Sequence, residues 1–216
     1  PKDKIEIIVV DSYSTDGTIE LAKSFGARVL LTKIRGYMEG KGMPKSLGCE
    51  EAKGEIIITI DSDNSLVESD WLKKTVFPLI TDKEVNYCIS RMALVPSDPL
   101  TNQYLSLVGT DPFAIYTSLD PQISLRKVKL QDHGKYYTYK QDPKNFLITG
   151  GYYFTVRNST LKEIGGYSRD VDVALMLAKK GKGLIAIPKS AHLHHLITSG
   201  FTNFFKKKIK WGDYYF

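Results

Sequence analysis

The sequence predicts an α/β protein with a Rossmann-like, mostly parallel sheet, helices on both faces, and a more irregular second half. Two observations carry this. Short β-branched runs alternate with helical patterns through the first half, as right-handed βαβ units require. The runs Ile5–Val10 and Glu55–Ile60 are also nearly continuous in apolar character, as expected of strands buried on both faces.

The elements follow in order. Ile5–Val10 is a strand, Asp11–Thr18 a polar loop, Thr18–Phe25 a short helix stopped by Gly26, and Ala27–Leu31 the next strand. After the loop marked by Gly36, Gly40 and Gly42, Pro44 opens a helix that Gly54 closes. The Glu55–Ile60 strand leads into Asp61-Ser62-Asp63, and a helix over Ser69–Phe77 breaks near Pro78. Residues 97–146 are rich in Tyr, Pro, Asp and Lys, with a helix at Leu100–Leu107 and otherwise loops and short strands. A strand pattern resumes over Phe146–Val156, around Gly150-Gly151. Asp170–Lys180 is helical with Gly181 as its stop, and Leu184–Ile187 is a final strand.

At 216 residues the chain is long enough to bury a substantial core, and no linker or repeat divides it. It reads as one catalytic domain, with a ligand-binding half at 1–96, a second half at 97–203 and a basic aromatic tail at 204–216. No run of eighteen apolar residues is present to span a bilayer. The polar start at Pro1 lacks Met, so the expectation is a piece of a longer protein whose first strand and helix are missing. Two cysteines, Cys49 and Cys88, make no disulfide framework and point to reduced core thiols in a cytoplasmic protein. A net charge of +6 favours anionic partners.

The sharpest chemical feature is the pair Asp61 and Asp63. In an extended segment, residues i and i+2 point the same way, so both carboxylates can face one ligand at the strand's end. Carboxylates so placed call for a cation, and Mg²⁺ or Mn²⁺ takes one or two carboxylates together with substrate phosphate. Open α/β sheets gather ligands beyond the C-terminal ends of their strands, and the loop at Asp11 lies on the same edge.

Four segments in order, EIIVVDSYSTDGT (6–18), KSLGCEEAKGEIIITIDSDN (45–64), ITGGYYFTVRNSTLKEIGGY (148–167) and RDVDVALMLAKKG (169–181), resemble the family 2 glycosyltransferases with the GT-A fold. The resemblance implies a nucleotide-diphospho-sugar donor, linked to UDP or GDP, and inverting transfer to an acceptor hydroxyl. It implies Asp11 at the nucleotide base, with Ser12 replacing the family's usual second acid. Lys45 stands near the diphosphate where the family often has Arg, Asp61 at the ribose, and Asp63 on the metal. Gly150 and Gly151 let backbone approach the donor sugar or the acceptor, or form a simple bulge. Asp170 matches the family's catalytic base, with Arg169 in place of the usual Glu and Asp172 as the rival. Of His192, His194 and His195, His194 best fits the position near the metal.

The tail Phe204–Trp211 mixes aromatic and lysine residues, which suits peripheral contact with anionic lipid through 204–216 at the inner membrane face. Such contact would favour a lipid-linked acceptor; nucleic acid is not the expected partner. Asn158-Ser159-Thr160 is a sequon by chance. Two other readings stand beside the transferase: a nucleotidyltransferase, whose glycine-rich phosphate loop would lie in the missing segment, and a degenerate binding module at the membrane surface.

Overall fold

In the computed structural model, residues 4–34, 42–109, 128–147 and 153–215 are described. β1 (Ile8–Asp11) and β2 (Arg28–Leu31) pair in parallel on either side of α1 (Thr18–Ser24), so Asp11 ends its strand opposite Leu31. α2 (Pro44–Glu51) begins at Pro44, whose missing N–H costs nothing at a helix start. It packs on β1 through Gly48, where a Cβ would stand only 3.2 Å from Val10 Cγ2. α2 also contacts β3 (Ile56–Ile60), and so ties the Asp11 and Asp61 loops together.

Six strands form the main sheet in the order β3, β9 (Tyr153–Arg157), β5 (Tyr87–Cys88), β10 (Leu184–Pro188), β8 (Tyr136–Lys140) and β7 (Gln131–Asp132). β9 runs antiparallel between β3 and β5, while β10 runs parallel to β5 and antiparallel to β8. The sheet is therefore mixed, with β3, β5 and β10 all pointing their C-terminal ends to one edge. A smaller sheet on that edge joins β4 (Asn64–Leu66), β11 (His192–His195) and β6 (Arg91–Met92).

Tyr87, Phe154, Val156, Ile185 and Ile187 pack on one face of the sheet against Leu161 of α5 (Asn158–Glu163), Tyr167, and Val173, Ala174 and Leu177 of α6 (Asp170–Lys179). Leu79 of α3 (Trp71–Thr81) lies on the other face with Val85, Cys88, Tyr136 and Ala186. Helix α3 runs through Pro78 rather than breaking there. Pro78 is itself buried, and the Arg157 guanidinium donates to the carbonyls of Leu79, Asp82 and Val85 at the helix's end. A further cluster joins Trp71, Met92, Tyr153, Leu193 and Ile197 to Leu105 of α4 (Leu100–Val108) and Phe204 of α7 (Phe201–Tyr215). Both cysteines are buried and free. No described helix is long and apolar enough to cross a membrane.

Candidate active site

Asp61 leaves the end of β3 and meets Lys45 of α2, with Nζ 2.7 Å from Oδ1. Burial pushes the Asp61 carboxyl above the usual carboxylate range. Lys45 pulls against that, and the negative charges of Asp170 and Asp63 add to it. Asp61 and Asp170, far apart in sequence, therefore share one electrostatic neighbourhood.

Asp170 is the first residue of α6 and is buried, and its Oδ1 accepts a hydrogen bond from the Tyr167 hydroxyl at 2.5 Å. Asp172 faces elsewhere: Arg169 holds it in a two-pronged ion pair at 2.7 and 3.0 Å. Two residues apart on a helix, the carboxylates cannot share a face. Only Asp170 looks toward the Asp61 edge. Cys49 on α2 feels the same negative charge, and burial, its main cause, pushes its thiol up to about 12.

Asp63 is half-exposed and has a different partner. His195 Nε2 lies 3.0 Å from Asp63 Oδ2. That hydrogen bond holds the carboxyl below its usual range despite some burial, and the positive charge of Lys207 helps. Lys207 belongs to α7 and donates to the Ile197 carbonyl at 3.3 Å. Phe204, one turn earlier, anchors that helix in the core.

The histidine beside Asp63 is thus His195, where the sequence pointed to His194. β11 alternates its side chains, and its pairing with β4 sets His195 opposite Asn64, the residue after Asp63. His194 goes to the other face, with Nε2 2.9 Å from Asp98 Oδ2. Asn102 donates to the same carboxylate oxygen at 2.7 Å, and its own Oδ1 accepts from the amides of Ile197 and Thr198. This buried clamp fixes the turn that follows His195.

Asp11 is buried at the end of β1, and its Oδ1 accepts the Ser14 amide at 2.7 Å, so it organises its own loop. Ser12 donates to the Ile34 carbonyl at 2.6 Å, and Tyr13 between them takes a left-handed φ of 63°. Gly150 and Gly151 lie outside the described residues.

Among the described residues no group of three or more His, Cys, Asp or Glu side chains is arranged to hold a metal by itself. The donors present, the Asp63 carboxylate with the His195 imidazole behind it, suit an ion that completes its shell with substrate phosphate and water. Three contributors were not picked out from sequence. Tyr167 stands three residues before Asp170 in a quoted motif. His195 needed the strand register, and Lys207 needed the placement of α7.

Residues 1–165 match the family described as Glycosyl transferase family 2. The chain belongs to that family. Asp11, Lys45, Asp61 and Asp63 fall inside the match, whereas Asp170, His195 and Lys207 lie beyond it. Among relatives of this family 2 chain is the poly(ribitol-phosphate) β-N-acetylglucosaminyltransferase TarS of Staphylococcus aureus. It is 30% identical over 66 residues, which is 30% of this chain and 12% of TarS. The solved structure of TarS residues 1–349 with UDP-GlcNAc superposes with a TM-score of 0.57 at 17% identity, covering 93% of this chain and 54% of that one. Glucosyl-3-phosphoglycerate synthase of Mycobacterium tuberculosis, solved with Mn²⁺, UDP and glucosyl-3-phosphoglycerate, gives 0.50 at 22% identity, covering 88% and 60%. The fold is that of these GT-A enzymes, and the chain spans little more than half the length of the two solved relatives.

Proposed function

We propose that the chain transfers a sugar from a nucleoside-diphosphate donor to an acceptor hydroxyl, with inversion, at the edge where Asp61, Asp63 and Asp170 meet. The observation that carries this reading is the convergence of Asp170 on the Asp61–Lys45 pair from the far end of the sequence. A UDP donor is the first choice, because both solved relatives were captured with UDP or a UDP-sugar.

In this reading Asp61 holds the ribose, Lys45 meets the diphosphate and Asp11 lies at the base. Asp63 and His195 are the residues that would hold Mg²⁺ or Mn²⁺; the Mn²⁺ in the synthase complex supports a divalent ion. The ion's contribution when bound is to offset charge on the departing nucleoside diphosphate. Asp170 takes the proton from the acceptor hydroxyl as its oxygen attacks the anomeric carbon and the bond to the diphosphate breaks. The Tyr167 hydrogen bond fixes the direction in which the Asp170 carboxylate points. Titration calorimetry with UDP or GDP, each with Mn²⁺ or Mg²⁺, tests the reading, followed by a donor-hydrolysis screen. Absence of metal-dependent nucleotide binding would sink it.

Peripheral membrane contact has its own support. On α7, Phe201, Phe205 and Ile209 recur at helical spacing and are all exposed, while Phe204 turns inward. Lysines 206 and 208 flank the stripe, as on a helix lying in an anionic headgroup layer. Such docking would set the protein at the inner face of a membrane and bring it to a lipid-linked acceptor. Phe205→Glu should abolish co-sedimentation with phosphatidylglycerol vesicles, and unchanged binding would refute the contact.

A further inference from the structure

Arg91 is a half-buried cation at the active edge of the sheet. Among the described residues its guanidinium meets no carboxylate, and what it faces is the Tyr137 ring, 5.5 Å from the centroid. Lys189 converges on the same ring, its Nζ 4.4 Å from the centroid. Asp132 balances that lysine at 2.6 and 2.8 Å, so the cluster keeps one positive charge in excess. A guanidinium with five donors held partly out of water calls for an anion that accepts in pairs.

The strand register shows where this cation stands. Ile57, Val156 and Tyr87 form one row across β3, β9 and β5. Asp61 lies four residues beyond Ile57, and Arg91 four beyond Tyr87. Asp61 follows the end of β3 and Arg91 opens β6 just past the end of β5, so both stand beyond the same edge of the sheet, with β9 between their strands. Ile57, Tyr87 and Ile89 belong to the core cluster that contains Tyr167 and Val173, and Tyr137 packs against it. Arg91 thus shares the sheet face that carries Asp61 and the start of α6, where Asp170 sits. It stands across from the donor side.

We infer that Arg91, with Tyr137 and Lys189, forms a phosphate site for the acceptor, so that the sugar is moved to a hydroxyl of a phosphorylated molecule. This rests on the transferase reading and names its acceptor class. Arginine's planar fork binds two phosphate oxygens at once, which a lysine in its place does not reproduce. Lys189, its charge offset by Asp132, can add one further donor to the phosphate's third oxygen. The phosphate can belong to a soluble metabolite or to a lipid carrier, and the chemistry at Arg91 is the same.

The test titrates glycerol 1-phosphate, glycerate and glycerol into the wild-type chain, Arg91→Gln, Arg91→Lys and Lys189→Gln, with near-ultraviolet circular dichroism confirming each fold. Vesicles of phosphatidic acid and of phosphatidylcholine form the lipid arm. Glycerol 1-phosphate should bind the wild type in preference to glycerate, and R91Q should weaken it on the order of tenfold or more. R91K and K189Q should fall between and carry the test if R91Q does not fold. An Arg91-dependent preference for phosphatidic acid vesicles without glycerol 1-phosphate binding assigns the phosphate to a lipid. Binding that ignores Arg91 in both arms, or glycerate bound as tightly, overturns the inference. Wild-type UDP binding with Mn²⁺ is measured alongside. Its absence would defeat the transferase reading, whereas its presence with no Arg91 effect would defeat this inference alone.

Discussion

The two carboxylates of Asp61-Ser62-Asp63 sit in opposite electrostatic surroundings. On the Asp61 side, two partly or fully buried acids, Asp61 and Asp170, lie close enough to feel each other's charge, Lys45 pairs with Asp61, and burial raises the Asp61 carboxyl. On the Asp63 side, one half-exposed acid has both His195 and Lys207, and its carboxyl is lowered. The first side is governed by burial and by neighbouring carboxylates, and suits proton uptake and hydrogen bonding to a sugar. The second sets the His195 imidazole and Lys207 beside a single acid and suits a ligand bringing phosphate. Two neighbouring residues of one short motif thus perform different chemistry because different elements cover them.

The largest effect should come from the Asp61 side, where Asp170 sits. Asp170→Asn keeps the shape and the Tyr167 contact but removes the base, and turnover should fall about 10²–10⁴-fold. Asp172→Asn should stay within a few-fold, since that carboxylate is occupied by Arg169 at the surface. Steady-state transfer or donor hydrolysis with both variants measures the contrast. Equal losses would mean that the helix start, and not the buried carboxylate, is what matters.

The histidines supply the next contrast. His195→Gln should weaken Mn²⁺-dependent UDP binding on the order of tenfold, following the loss typical when a metal site's support is removed. His194→Gln should leave that binding intact and lower stability by about 1 kcal/mol through the lost Asp98 bond. Calorimetry and thermal unfolding on the same two variants separate these outcomes. The reverse pattern would restore His194 to the metal site.

Lys207 tests the Asp63 side directly, because its two expected effects have opposite signs. Removing it in Lys207→Ala takes a like charge away from an arriving cation, so Mn²⁺ alone should bind a few-fold tighter. UDP should bind a few-fold weaker, because the same lysine attracts its phosphates. Losing only a packing contact would weaken both together. Mn²⁺ titration followed by paramagnetic resonance, with UDP calorimetry beside it, reads the two signs.

Much of this was legible in the sequence, and where it was not the reason is physical. The run Ile56–Ile60 followed by alternating acids identifies a strand and its edge without any tertiary information. Lys45 could be placed by its position in a helix that begins at Pro44. The inward turn of Asp170 over Asp172 follows from helix geometry once Arg169 claims one of them. His194 and His195, by contrast, occupy adjacent positions of a strand, and only the pairing of β11 with β4 decides which meets Asp63. Helix α3 runs past Pro78, and the contact that ties down its end, Arg157 on the carbonyls of Leu79 and Asp82, comes from a distant strand. Lys207 and Arg91 carry no motif. Their roles depend on what the fold sets opposite them.

The smallest effect is also the most direct reading of the two-sided motif. The folded state lowers the Asp63 carboxyl below its unfolded value near 4, so its ionised form stabilises the fold. That contribution is complete above the unfolded value and lost as pH falls through the folded one. The gap between wild type and Asp63→Asn should therefore be widest at neutral pH and close on acidification. Asp61 works in the other direction: its folded value is raised, so ionisation costs stability, with no penalty below pH about 4 and the full penalty above the folded value. Asp61→Asn should accordingly gain on wild type as pH rises from about 4. Its loss of the Lys45 partner adds an offset that does not vary across that window, so the slope and not the intercept carries the test. Each effect should be less than about 1 kcal/mol, because solvent screens both groups. Chemical unfolding from pH 3.5 to 7 measures the slopes; parallel slopes for the two variants would show that the acids share one environment.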